Sequence, residues 1–227
     1  MSRRGVNAQY NVARGGGLTD RLSTHVRRRM YARFIAAGVA PDDTVLDVGV
    51  TSDREQLASN YLEAWHPRKD TITACGIDDA GFLEDLHPGL RFVRADGRDL
   101  PFADRSFDWV HSSAVLEHVG SAGEQVRFLA ELHRVCRKGL FVTTPNRWFP
   151  VEFHTVLPLV HWLPAPWFRA LLRWLGHREL CLEANLNLMG RRDLARACSR
   201  AGLADWRIDS VSLAGWPSNL LLLARRT

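Results

Sequence analysis

WRIDSVSL (206–213) and SNLLLLARR (218–226), separated only by AGWP (214–217), decide what kind of sheet this chain builds. Both runs suit a pleated, buried surface, and four residues containing a glycine and a proline leave room for a turn and nothing more. The two runs pair as a hairpin, so one of them is antiparallel to the rest of the sheet. Upstream the pattern is different. TVLDVGV (44–50), TITACGI (71–77), RFVRAD (91–96), FDWVHS (107–112) and KGLFVTT (138–144) read as strands with helical stretches between them. In QLASNYLEAW (56–65) the residues Leu57, Tyr61, Leu62 and Trp65 fall at helical spacing, and Ser121 with Glu124 forms a capping box before a helix carrying Val126, Leu129 and Leu132, closed by Gly139. An earlier helix is expected to start on Ser23 or Thr24, to bury Val26, Met30, Phe34 and Ile35, and to stop at Gly38 and Pro41. The expected fold is α/β: five parallel strands plus a C-terminal β-hairpin with one antiparallel strand, helices covering both faces.

Composition narrows the class. A chain of 227 residues that is 46% hydrophobic can bury one substantial core. Cys75, Cys136, Cys181 and Cys198 are scattered without a CxxC pair, so neither a disulfide framework nor a metal site is expected. No apolar run is long enough for a membrane helix, and a cytoplasmic location is expected. Residues 1–41 hold eight arginines against Asp20, which accounts for all of the +5 net charge. Residues 1–22 read as a flexible basic arm, either anion-binding or simply solvated, and 23–227 as a single domain.

The block ADGRDLPFADRSFDWVHSSAVLEHV (95–119), taken with VLDVGVTSD (45–53) and the closing hairpin, resembles the class I S-adenosylmethionine (SAM)-dependent methyltransferases, in the small-molecule branch called the methyltransferase type 11 group. The resemblance implies a Rossmann-like methyltransferase fold, with SAM as cofactor across the carboxyl ends of the strands. It implies that Asp47 approaches the methionine amino group, that Gly49 lets backbone pass close to the cofactor, and that Thr51 stands where the family's usual G-x-G-x-G has a glycine. By the same resemblance Asp78, with Asp79 beside it, accepts from the ribose hydroxyls, Asp79 being equally suited to cap the AGFLEDL segment. Asp96 accepts from the adenine amino group, Gly97 and Arg98 offer backbone nitrogens to the ring, and Ser112 lies at the end of the fourth strand.

About 60 residues separate the fifth strand from the hairpin, so a substrate-side insertion is expected at about 145–190. It holds four of the eight tryptophans and is broken by Pro145, Pro150, Pro158, Pro164 and Pro166. Asn146, Arg147, Trp148 and Glu152 are the residues expected to face an acceptor. His118 and His154 are the candidate bases, with Glu117 beside His118 as either a partner in catalysis or a structural pair. Trp167, Leu171, Trp174 and Leu175 form one flank of a helix suited to cap an apolar pocket, to rest on a membrane surface or to make a dimer contact, so monomer and homodimer both stay open. The reaction expected is methyl transfer to a small-molecule or lipid-linked acceptor, at oxygen first, with nitrogen and carbon as the other acceptor atoms open to it. A SAM-binding protein without transfer and a non-enzymatic scaffold are the alternatives. The fourth strand is followed by HSSAVLEH rather than an Asn/Asp-Pro-Pro-aromatic motif, which disfavours nucleic acid as substrate.

Overall fold

The computed structural model describes residues 17–54 and 57–226. In chain order its helices are α1 (Leu18–Ala36), α2 (Tyr61–Trp65), α3 (Phe82–Leu86), α4 (Ala122–Val135), α5 (Ala165–Trp174) and α6 (Arg191–Arg200), joined by short 3-10 turns. The strands are β1 (Val45–Val48), β2 (Ile72–Gly76), β3 (Arg91–Arg94), β4 (Phe107–Ser113), β5 (Cys136–Pro145), β6 (Asp205–Leu213) and β7 (Trp216–Arg225). They form one sheet in the order β3-β2-β1-β4-β5-β7-β6. β1 to β5 pair in parallel, whereas β7 lies antiparallel between β5 and β6, as the hairpin reading requires.

The hairpin turn is tighter than the sequence suggested. Ala214 and Gly215, with φ of 50° and 81°, form the whole two-residue loop, and positive φ at both centres is what a twisted hairpin favours. Trp216 and Pro217 therefore belong to β7, beside a register shift at Val211/Ser212 that absorbs the proline.

Both sheet faces are covered, and the alternation along single strands shows why. Leu140 and Val142 join the core under α4 and α6, with Phe128, Leu129, Leu132, Leu194 and Cys198. Phe141 points the other way, into the core under α1 and α2 with Met30, Phe34, Tyr61 and Trp109. All four cysteines are buried and free.

Two helix limits differ from expectation. α1 begins at Leu18 with Gly17 as its N-cap, so Ser23 and Thr24 lie inside the helix rather than capping it. The helix therefore extends about a turn further back than the local cap signal indicates. Of the expected basic arm, residues 1–16 lie outside the described residues, and 18–22 are helical. α4 does start on Ser121, whose Oγ accepts from Glu124 N at 3.4 Å, but it ends at Val135 and passes directly into β5. Gly139 sits within β5, where a Cβ would meet Ala224 O at 2.7 Å and the Trp109 ring at 2.9 Å. That glycine serves close packing, not helix closure.

Candidate active site

The strand order reverses between β1 and β4, and there, at the carboxyl ends of the strands, lies a cavity of about 770 Å³. This is where an open α/β sheet binds its ligands, and the volume falls in the ~300–1,000 Å³ range of small-molecule sites.

The turn after β1 forms one wall. Gly49 has φ of +101°, and its N–H donates to Cys75 O at 2.7 Å. Thr51, in place of a second glycine, is buried and clamped. Its N–H donates to Asn60 Oδ1 and its carbonyl accepts from Asn60 Nδ2, both at 2.9 Å, while its Oγ1 accepts from Asp53 N at 3.0 Å. Gly49 and Thr51 line the cavity. Asp47 does not. Its carboxylate lies under the turn, 2.7 Å from His111 Nδ1, and His111 Nε2 is 2.8 Å from the Tyr61 hydroxyl. Burial pushes Asp47 up to about 7 and lowers His111 to about 4. Burial, with Asp47 close by, also holds Glu63 well above the carboxylate range. The expected approach of Asp47 to a ligand is thus corrected: strand alternation turns it inward, and it braces β1 against β4 and α2.

At the end of β2 the residue in the wall is Ile77, 48% exposed. Asp78 and Asp79 follow it outside the lining. Asp79 is exposed and accepts from Gly81 N at 3.0 Å, the turn-capping alternative. After β3, Asp96, Gly97 and Arg98 all line the cavity. Arg98 grips Asp96 through Nε at 3.0 and 3.1 Å and through a terminal nitrogen at 2.6 Å, and reaches Val119 O at 3.2 Å. Hydrogen bonding from this guanidinium holds the Asp96 carboxyl below its usual range. The backbone N–H of Arg98, expected to face a ring, instead donates to Asp96 Oδ1 at 2.9 Å. Gly97 is needed because a Cβ there would meet Val48 Cγ1 at 2.8 Å and strike the Phe128 ring. Ser112 is buried and donates to Val48 O at 2.8 Å, tying β4 to β1, so its neighbour Ser113 is the serine that faces the cavity.

The opposite wall carries a cluster that brings both candidate bases together. His118 Nε2 and His154 Nε2 are 3.0 Å apart. His154 Nδ1 is 2.6 Å from Glu152 Oε1, and His118 Nδ1 is 2.6 Å from the carbonyl of Asn185. Glu117 is fully buried. Its Oε2 accepts from Thr144 Oγ1 at 2.9 Å, and its Oε1 has no hydrogen-bond partner among the described residues. Burial raises Glu117 to about 7 and, with His154, drops His118 to about 3. Burial opposes charge on Glu152 and His154 as well, yet hydrogen bonds from the His154 ring and backbone hold Glu152 at about 2, and Glu152 in turn raises His154. Glu152 is therefore a carboxylate, and its hydrogen bond favours the protonated form of His154 against the opposing effect of burial.

From the 145–190 segment Glu152 and His154 reach the cavity, with the apolar Pro145, Phe149, Val151, Phe153, Val156 and Ala184. Asn146, Arg147 and Trp148 do not. Asn146 Nδ2 donates to Pro217 O at 2.9 Å, Arg147 donates to Leu163 O at 3.0 Å, and Trp148 O accepts from Trp216 Nε1 at 3.0 Å. β5 ends beside β7, so Asn146 and Trp148 are taken up by the hairpin, while Arg147 bonds within the insertion. The pocket-capping expectation for Trp167 and Trp174 is likewise corrected: they are 70% and 81% exposed, while α5 buries Phe168 and Leu172 against Leu180, Cys181 and Leu186. α1 supplies wall residues that sequence reading missed, Leu22, Val26, Arg27 and Met30 among them, because a single apolar stripe serves core and cavity alike.

Residues 58–143 match the family described as a methyltransferase domain. A demethylmenaquinone methyltransferase of Beutenbergia cavernae is 32% identical over 154 residues, covering 63% of this chain and 59% of that protein. A putative methyltransferase of Encephalitozoon cuniculi is 32% identical over 119 residues, covering 50% of each. The chain thus spans between half and three-fifths of the length of these relatives. Among solved structures, a SAM-dependent methyltransferase of Thermotoga maritima superposes with a TM-score of 0.60 at 13% identity over 92% of this chain and 91% of the other. The magnesium protoporphyrin IX methyltransferase of Synechocystis, solved with bound S-adenosylhomocysteine (SAH), gives 0.57 at 16% identity over 95% and 90%. Among the described residues no helix is long and apolar enough to cross a membrane. Its central segment thus matches a methyltransferase domain, and its seven-stranded sheet with the closing hairpin is the fold of the SAM-dependent methyltransferase structures.

Proposed function

We propose that the protein is a SAM-dependent methyltransferase that methylates a hydroxyl group on a small, largely apolar acceptor. One observation carries the reading: a single cavity has strand-end loops of cofactor-binding character on one wall and a cluster of two histidines and two carboxylates on the other. The first wall fits the cofactor. Asp96 is a partly exposed acceptor beside the apolar Ile77 and Val119, suited to an adenine ring and its amino group, and the Gly49 turn brings backbone to the cavity edge. Asp78, at the tip of β2, is the acid we assign to the ribose hydroxyls.

When bound, SAM supplies an electrophilic methyl on a sulfonium. The chain's task is then to hold the acceptor in line and to take its proton. Glu152 fixes the orientation of His154, and His154 meets His118, an arrangement in which a base is positioned by a third group. Phe149, Val151 and Phe153 exclude water from the acceptor side. The acceptor's O–H proton passes to this cluster, its oxygen takes the methyl, and the S–CH3 bonding pair stays on sulfur, leaving SAH. An apolar acceptor agrees with these phenyl and valyl walls and with the quinone-type substrate in the name of the Beutenbergia relative. Exposed Trp167 and Trp174 offer an interfacial edge through which a lipid-linked acceptor would enter from a membrane surface.

Calorimetric titration of SAM and SAH into the wild type and Asp96→Ala tests the cofactor half, with micromolar binding expected and lost in the variant. Methyl transfer from labelled SAM to a panel of phenols and hydroquinones tests the acceptor half. A folded protein that binds neither SAM nor SAH overturns the reading, and one that binds both but methylates nothing reverts to the SAM-binding alternative.

A further inference from the structure

Glu117, His118 and His154 come from the end of β4 and from the insertion, and their hydrogen bonding is incomplete in one specific way. His118 Nδ1 faces the Asn185 carbonyl, which can only accept, so the hydrogen of that ring is on Nδ1. His154 Nδ1 faces the Glu152 carboxylate and carries a hydrogen for the same reason. In neutral rings both Nε2 atoms are then lone pairs, and they point at each other across 3.0 Å. Glu117 Oε1 lies 3.9 Å from His118 Nε2, buried and without a hydrogen-bond partner among the described residues. With both rings neutral and Glu117 ionised, three acceptor atoms converge on one point.

A proton shared by the two imidazoles would satisfy the nitrogens and leave Glu117 Oε1 unpaired. A metal cation satisfies all three at once. The three ligand atoms lie within 4.8 Å of one another. A tetrahedral ion with bonds of about 2.05 Å to nitrogen sets two imidazole nitrogens roughly 3.3 Å apart, so the present contact needs to open by only a few tenths of an ångström. Each ligand already has the outer partner that metal sites use: Glu152 on His154, the Asn185 carbonyl on His118, and Thr144 on Glu117. Two imidazoles and one carboxylate favour a first-row transition ion over magnesium or calcium. All three residues also line the cavity, which leaves one side of the site open to an acceptor.

We propose that Glu117, His118 and His154 bind one divalent first-row transition ion, and that its open position receives the acceptor hydroxyl. The metal-binding half stands on geometry alone; the hydroxyl half rests on the methyltransferase reading. With the ion bound, the imidazoles are ligands and no longer the proton acceptor: the ion lowers the hydroxyl pKa, the proton leaves to solvent, the oxygen forms its bond to the methyl, and the broken S–CH3 bond leaves its electron pair on sulfur.

The test uses the full chain, stripped with chelator and shown by circular dichroism to be folded. It is titrated with Co2+, followed by visible absorption, and with Zn2+ by calorimetry. One equivalent of each is expected. Glu117→Gln, which keeps the side-chain shape, and His154→Ala should weaken binding about 100-fold or more, and Glu152→Gln roughly 10–100-fold. Absence of stoichiometric binding by the folded wild type overturns the proposal, as does unchanged binding in the His118→Ala/His154→Ala double variant. SAH titrated into the same metal-free sample reports on the cofactor site separately, so failure of the cation and failure of the methyltransferase reading are told apart.

Discussion

Gly49→Ala is the substitution that most directly probes how the first loop is held. Two costs add there. Gly49 has φ of +101°, a region that side chains other than glycine's enter at a cost of about 1–3 kcal/mol. The new Cβ would also lie within 3.1 Å of all three side-chain carbons of Val115, and overpacking of that kind costs about 1–3 kcal/mol. The sum is roughly 2–6 kcal/mol, or a fall in Tm of about 4–24 °C for a chain of this size. Val115→Ala removes the collision but not the dihedral cost. In the double variant the penalty attributable to residue 49 should drop to about 1–3 kcal/mol, a coupling of about 1–3 kcal/mol in a double-mutant cycle. Urea unfolding of the wild type, both single variants and the double variant measures each term. SAH affinity should fall in Gly49→Ala under conditions where it is still folded, because the loop that moves is a cavity wall. A Gly49→Ala loss below about 1 kcal/mol would refute both the strain and the packing, and no coupling to Val115 would refute the packing alone.

Asn60→Ala takes the partners from Thr51 N–H and C=O together; orphaning two buried backbone groups should cost about 2–4 kcal/mol in urea unfolding, and a cost under 1 kcal/mol would mean that the clamp is not structural. Asp47 is raised by burial from 3.8 to about 7, so across that window the folded state binds a proton the unfolded state has lost, and stability should fall as pH rises. Asp47→Asn should flatten that slope when unfolding is followed at pH 5, 6, 7 and 8, and an unchanged slope would remove Asp47 as its source. Trp167→Ala and Trp174→Ala should leave SAH affinity within about 2-fold and stability within about 0.5 kcal/mol, since both rings are largely exposed and outside the cavity; a large loss of SAH binding would place them in the site after all.

How far the sequence reveals the site depends on which elements carry it. Strands and their order follow from local alternation and from a hairpin too short to be anything else, so the sheet and the position of the cavity at its switch point are legible. The direction of individual side chains at the strand ends is less so. A one-residue offset exchanges the two faces of a strand, and in HSSAV nothing local says whether Ser112 or Ser113 faces the cavity. Asp47 and Val48 pose the same choice, and the buried His111–Tyr61 chain resolves it by drawing Asp47 inward. The acceptor wall is harder still. Prolines break the periodicity of 145–190, and its path is set by a small core of its own and by distant bonds such as His118 to Asn185. The meeting of His118 with His154, 36 residues apart, is encoded in no spacing. The two halves of the cavity therefore have different freedom to vary. The half built on periodic strands keeps its geometry wherever the sheet is kept, since the pairing of the strands sets the positions of their ends. The half built on the proline-broken segment is held by a small core and a few long-range contacts, so it can be rebuilt without disturbing the sheet.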